Sequence, residues 1–309
     1  MNKILKSPLF KISAIMTLAL VIILSGCTQS TAIVVVGRDP ASGTRGAFDE
    51  LALEGEAPTD KMEQMNSNAL VHDKVATTKL AIGYVGLGYL DEEVKPLKID
   101  GILPSKTTVL SLQYPIARDL NMFYNGIASA DVMAFINFIQ SDLGQALVAD
   151  EGFVDIDPLS TWDWTNSNMA PVIDIDISGS TTVLPIATTA ADAYTTNVPG
   201  SQISVAGGGS STGVSEVGNG IVDIGMASRE LKSSEQTNYP DLVKNVVAKD
   251  GIALIVHPDN DISGISKEMV KLIYIGNVTS WIEVKADDKT TTESASTPLI
   301  WLIAIFKEY

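Results

Sequence analysis

Short β-branched runs alternate along this chain with stretches in which apolar positions recur every three or four residues. Residues 33–36 are an unbroken apolar run and predict a buried strand. Helices are expected over 44–53 and 69–79, and a strand over 81–85. Residues 117–124 read as a strand, after which Val132, Phe135, Ile136 and Ile139 mark the apolar face of a helix. The second half repeats the alternation without repeating the sequence. Residues 173–178 predict a strand. Val183, Ile186, Ala187, Ala190, Ala191 and Tyr194 then keep a helical period, with Pro185 in the first turn where proline is tolerated. A strand at 202–206, a short helix at 211–218, a strand at 222–226, a further strand within 243–256 and a helix at 267–275 complete the pattern. Strands alternating with helices predict an α/β fold with a mainly parallel sheet in each of two lobes.

Two stretches stand apart. Residues 155–171 carry two prolines, Trp162, Trp164 and several Asp, Ser and Asn without any period, and read as a linker whose tryptophans cover an apolar patch. Residues 285–297 are polar and Thr-rich, and the apolar 299–306 is too short to span a bilayer. That last run reads either as a terminal element packed on a lobe or as the remnant of a truncated frame.

The first residues change the picture. Lys3, Lys6 and Lys11 precede a thirteen-residue, almost wholly apolar run ending at Leu24, and Leu24-Ser25-Gly26-Cys27 follows. The run has the length of a signal-peptide core rather than of a membrane span. Those four residues resemble the lipobox of prokaryotic lipoproteins, which implies lipidation of Cys27, a signal peptide over 1–26, and a mature protein held outside the cytoplasm on the cell membrane. Cys27 is the only cysteine, so no internal disulfide forms. The net charge of −16 becomes more negative still once three lysines are removed with the signal. Such a chain repels nucleic acid. It binds an anion only through local donors.

Three segments supply such donors. Ser178-Gly179-Ser180-Thr181-Thr182, Gly207-Gly208-Gly209-Ser210-Ser211-Thr212-Gly213 and Arg38-Asp39-Pro40-Ala41-Ser42-Gly43-Thr44 each follow a predicted strand and open a predicted helix. A helix N-terminus presents unpaired N–H groups and a favourable dipole to an anion. Hydroxyls add donors, and Arg38 and Arg229 add charge-assisted bonds of about 1.5–3 kcal/mol each. One such loop is more often structural, because Ser and Thr are ordinary helix caps; three in one chain point to a tetrahedral oxyanion. His72, on a polar helix face, and His257, before Pro258, read as surface or loop residues, and no metal site or cofactor is expected. A phosphate loop of the nucleotide-hydrolysing kind is not expected, because the lysine that would follow Gly43 is absent.

These motifs resemble the phosphate-binding proteins of phosphate ABC importers, a type II periplasmic-binding-protein family. The resemblance rests on Ile177 to Pro185, Gly207 to Val214, Asp223 to Glu230, Asp250 to Val256, Val36 to Arg45 and Ala81 to Tyr89, and covers about residues 32–155 and 173–284. It implies a two-lobed periplasmic-binding-protein-like fold, inorganic phosphate or a related oxyanion as ligand, and an ABC importer permease as partner. The motifs stand in reversed order, second half before first, so a circularly permuted fold is expected. Residues 27–115 and 259–309 would then form one lobe and residues 116–258 the other, with 156–172 as the linker and hinge strands near 114–119 and 256–260. Carried over by motif, the ligand contacts would be Ser180, Thr181, Thr182, Ser210, Ser211, Thr212, Ser228 and Arg229 from one lobe, and Arg38, Ser42, Gly43 and Thr44 from the other. One departure concerns selectivity: where the family has a carboxylate two residues after Arg38, this chain has Pro40. Two other readings stand beside this one: a remnant of a broken tandem array without transport function, which would give the same order of motifs, and an extracellular phosphatase using a Ser loop. The second needs a general base or metal that no motif places, so no enzyme is expected.

Overall fold

A computed structural model describes residues 31–285. The signal-type segment, Cys27 and the apolar run at 299–306 lie outside the described residues. In chain order the structure builds β1 (Val34–Arg38), α1 (Gly43–Leu51), β2 (Glu63–Met65), α2 (Asn68–Thr77) and β3 (Ala81–Gly86). Short pieces β4 (Lys95–Pro96), β5 (Lys98–Ile99) and α3 (Lys106–Leu110) follow, then β6 (Ala117–Asn125), α4 (Ala130–Ile139) and α5 (Asp142–Asp150). After the irregular segment 151–173 come β7 (Asp174–Gly179), α6 (Leu184–Asn197), β8 (Gln202–Gly207), α7 (Ser210–Gly218) and β9 (Ile224–Ala227). The described part ends with α8 (Ser233–Asn238), β10 (Leu242–Val256), β11 (Gly264–Ile265) and α9 (Lys267–Tyr274). Among the described residues no helix is long and apolar enough to cross a membrane.

The main sheet runs β2-β1-β3-β10-β6-β9-β7-β8, with β4 also paired to β10. It is mixed, which corrects the expectation of mainly parallel sheets. At one end β1 lies parallel to β2 and β3; at the other β7 lies parallel to β8 and β9. Between them β6 and β10 pair antiparallel with each other, β10 runs antiparallel to β3, and β6 to β9. The cause is β10, a 15-residue strand that serves two ladders. Up to Gly251 it pairs with β6; from Ile252 onward it pairs with β3. β10 thus passes from one ladder to the other at Gly251–Ile252 and ends at Val256, two residues short of the expected lobe boundary at 258.

Each end of the sheet has its own core. One gathers Phe48, Tyr84, Leu254, Ile273, Tyr274 and Trp281 from both ends of the described chain. The other gathers Leu120, Phe135, Phe138, Ile175, Ile186 and Tyr194 from its middle. Phe48 stacks on Tyr84 at 4.0 Å between ring centres and meets Tyr274 edge-on at 4.7 Å. Tyr274 Oη donates to the Val36 carbonyl, and Trp281 Nε1 to that of Leu80. Residues 238 and 201 positions apart are thus locked together. The irregular segment covers the second core: Trp162 and Trp164 pack on Phe138, at 5.1 and 4.7 Å between ring centres.

His72 does not lie at the surface. It is 8% exposed, its Nε2 2.9 Å from Asp91 Oδ1 and its Nδ1 3.2 Å from Asp73 Oδ1. A polar helix face hides such a residue when a neighbouring loop folds over it. His257 accepts from the Asp259 N–H in a turn, as a loop residue does.

Replacing Phe48 with Ala should cost about 3–5 kcal/mol, because a fully buried ring leaves a cavity between two tyrosines. Urea unfolding of wild type and Phe48→Ala reads this directly; a loss under 1 kcal/mol would mean that the aromatic trio is not a structural centre.

Candidate functional site

Three strand ends set the site. β7, β8 and β9 run parallel and finish at Gly179, Gly207 and Ala227, so the loops that follow emerge at one edge. The opposing loop follows β1 and opens α1. Ligand sites in open α/β sheets lie at such carboxyl ends.

Each loop has a local reason to turn as it does. Ser42 caps α1 by accepting from Arg45 N at 3.2 Å. Ser180 Oγ accepts from the N–H groups of Thr182 and Val183 as the chain enters α6. Gly209, at φ +96°, precedes α7 in a conformation that L side chains rarely adopt. Backbone meets backbone where α7 crosses β7: a Cβ on Gly213 would lie 2.7 Å from Gly179 Cα. The glycines of these motifs therefore answer to close packing as well as to any ligand.

The loops meet. Thr44 Oγ1 lies 2.9 Å from Thr182 Oγ1, joining α1 to the loop before α6. Arg38 is 1% exposed and donates through Nη2 to Thr181 Oγ1 at 3.1 Å. Its Nε and Nη2 also reach the carbonyls of Met65 and Asn66. Ser210 Oγ accepts from Ser228 N at 3.0 Å and lies 3.5 Å from Ser228 Oγ. Gly43 packs directly on this pair: a Cβ there would collide with Ser210 Oγ and lie 2.6 Å from Ser228 Oγ. Ser211 N donates to the Ala41 carbonyl at 3.1 Å. Burial holds the Arg38 guanidinium below its ordinary pKa, with Asp39 acting in the opposite sense.

Some expected residues stand outside this convergence. Thr212 donates its hydroxyl to the Gly208 carbonyl, a bond within its own helix entry. Arg229 forks onto Glu235 at 2.7 and 2.8 Å and donates to Ser211 Oγ. Burial raises the Glu235 carboxyl, but the bonds from Arg229 outweigh it and hold the pKa low. Asp39, beside Pro40, spends Oδ1 on Ala41 N at 2.8 Å in a local turn. Away from this cluster, His72, Asp91 and Glu93 offer ligand atoms within 4.8 Å of one another, with both carboxylates exposed.

Three further residues belong to the cluster. Asn68, fully buried at the start of α2, donates through Nδ2 to Thr182 Oγ1 at 2.8 Å. Arg118 on β6 and Asp250 on β10 are register partners, and both are buried. Arg118 donates through Nε and Nη2 to Asp250 Oδ2 at 3.1 and 2.7 Å. It also reaches Ser228 Oγ and Thr182 Oγ1, each at 3.3 Å. Burial pushes the Asp250 carboxyl up and the Arg118 guanidinium down, and each partner opposes the other's shift. The sequence held one sign of this pair, charged residues inside two strands that are otherwise largely apolar; that Arg118 and Asp250 are partners depends on β-register. Among the described residues Arg38 Nη1, Asn68 Oδ1 and Arg229 Nε are buried without a hydrogen-bond partner.

A profile of the PBP superfamily domain matches residues 8–142 and 165–299. The phosphate-binding protein PstS 2 of Streptococcus pneumoniae is 34% identical over 266 residues, covering 84% of this chain and 89% of that protein. PstS 2 of Streptococcus agalactiae is 33% identical over 278 residues, covering 85% and 93%. Among solved structures, the phosphate-binding protein of a phosphate ABC transporter from S. pneumoniae aligns with a TM-score of 0.66 at 33% identity, over 82% of this chain and 99% of that one.

Gly43→Ala should destabilise the fold by about 1–3 kcal/mol, because the new methyl forces the α1 loop off Ser210 and Ser228. Thermal unfolding of the variant tests this. An unchanged midpoint would show that the loops do not meet as described.

Proposed function

The chain belongs to the PBP superfamily, and from that premise we propose that it binds inorganic phosphate outside the cytoplasm and delivers it to the permease of an ABC importer. The observation that carries the reading is the meeting of hydroxyls from four strand ends around Thr44, Thr182, Ser210 and Ser228, with Arg38 beside them. A desolvated phosphate needs nearly all its lone pairs satisfied, and helix N-termini, hydroxyls and a guanidinium supply donors of that kind. The buried Nη1 of Arg38, without a partner among the described residues, fits an acceptor brought by a ligand.

Delivery rather than chemistry agrees with the serines. The hydrogen-bond partners of Ser180, Ser210 and Ser228 are backbone N–H groups, Arg118 and one another. A serine nucleophile needs an adjacent base to take its proton. Attachment through Cys27 would keep the protein near its permease, and stable attachment by acyl chains takes more than one. Permutation of the two halves is part of the proposal: the Arg38 loop precedes the Ser180 loop, the reverse of the family order. Two cores, one built from both ends of the chain, suit that arrangement.

Calorimetric titration with phosphate, and with sulfate as control, tests the function. One-to-one binding of phosphate alone is expected, weakened roughly tenfold or more in Arg38→Ala through loss of charge-assisted bonds. Heat with sulfate instead would move the substrate and leave the fold. No heat with either anion, from a folded sample, would end the phosphate reading.

A further inference from the structure

The Arg118–Asp250 pair is more than a strut between β6 and β10. A strut needs only the contact with Asp250, which uses Nε and Nη2 on a single carboxylate oxygen. The other edge of the guanidinium faces Ser228 Oγ and Thr182 Oγ1, hydroxyls from two different loops of the candidate site. Asp250 is itself fixed, for its second oxygen accepts from Leu87 N at 2.8 Å. The pair carries no net charge, so any effect on an anion comes from geometry rather than from attraction.

Proton counting shows what that geometry does. A hydroxyl has one proton and two lone pairs. Thr182 Oγ1 accepts from Arg118 Nη2 and from Asn68 Nδ2, which fills both lone pairs. Its proton has one recorded destination left, Thr44 Oγ1 at 2.9 Å. Thr44 accepts that proton, so its own points away from Thr182. Ser228 Oγ accepts from Arg118 Nη1 and Ser210 Oγ from Ser228 N, and the 3.5 Å contact between the two hydroxyls uses the proton of at most one of them, leaving at least one free to point elsewhere. Hydroxyls that would otherwise rotate freely between donating and accepting are thereby turned into donors.

We infer that Arg118, clamped by Asp250, is a positioning residue that sets the hydroxyls of Thr44, by way of Thr182, and of Ser228 as donors toward a bound oxyanion. The inference rests on the oxyanion reading of the site and names the device that polarises it. Because the pair lies where β10 passes from one core to the other, the same contact ties the donor set to the alignment of the two halves.

The test uses Arg118→Met/Asp250→Asn. This double variant removes both charges, keeps an acceptor for Leu87 N, and leaves no unpaired buried charge; neutral replacement of a buried ion pair is often harmless to folding. Its urea midpoint is measured beside its phosphate affinity. The expected result is a near-native midpoint with phosphate binding weakened roughly tenfold to hundredfold. Thr44→Val is then made in wild type and in the double variant. If Arg118 acts through the hydroxyls, the two losses are not additive, and Thr44→Val costs clearly less affinity once the pair is gone. A double variant that folds and binds phosphate within about twofold of wild type overturns the inference, as do strictly additive losses. Wild type that binds no phosphate overturns it together with the oxyanion reading, an outcome distinct from wild type and double variant binding alike.

Discussion

The antiparallel ladder between β6 and β10 is the contact on which the remaining structure depends. Its strands run from one hydrophobic core to the other, and β10 contributes Ile252, Ala253, Leu254 and Val256 to the first and Val247 and Ala248 to the second. A strand shared by two cores cannot shift register in one without dragging the other, because a one-residue slip turns every side chain to the opposite face. The loops that carry Thr44 and Thr182 hang from opposite ends of the sheet, yet their hydroxyls meet at hydrogen-bond distance. That meeting requires the ladder to hold both ends in one alignment.

Charge makes the same point from another side. A chain with a net charge of −16 has no long-range attraction for an anion. Its candidate site answers with short-range means: helix entries, hydroxyls and a buried arginine. Charges that could have added attraction are neutralised, Arg229 by Glu235 and Arg118 by Asp250. Recognition built this way depends on donor placement to within tenths of an ångström, and weakly on ionic strength, since buried contacts are screened little.

Much of this was legible in the chain. The helix of Val183 to Tyr194 and the strand 202–206 fall almost where the periodicity puts them, because long amphipathic patterns and β-branched runs leave little choice. The three Gly-Ser-Thr loops announced the site. What escaped has physical causes. α3 and α5 are short helices, and their start signals, Ser105 and Ser141, look like loop residues until the serine is seen accepting from the third N–H. β10 was read only as containing a strand, because its double role depends on two distant partners. The fork of Arg229 onto Glu235, six residues on, was not announced by its motif. Arg118 and Asp250 lie 132 positions apart, and only sheet register brings them together.

The touching backbones of Gly179 and Gly213 carry a consequence for how such a protein can diversify. No side chain stands between β7 and α7 at that point, and a methyl on either residue would meet main-chain atoms that cannot swing aside. Most packing contacts drift over generations, one partner shrinking as the other grows. Here neither partner has anything to shrink. Variation in descendants of this chain is therefore channelled away from the junction and into the hydroxyl-bearing positions beside it, where new ligand preferences can arise while the framework stays put.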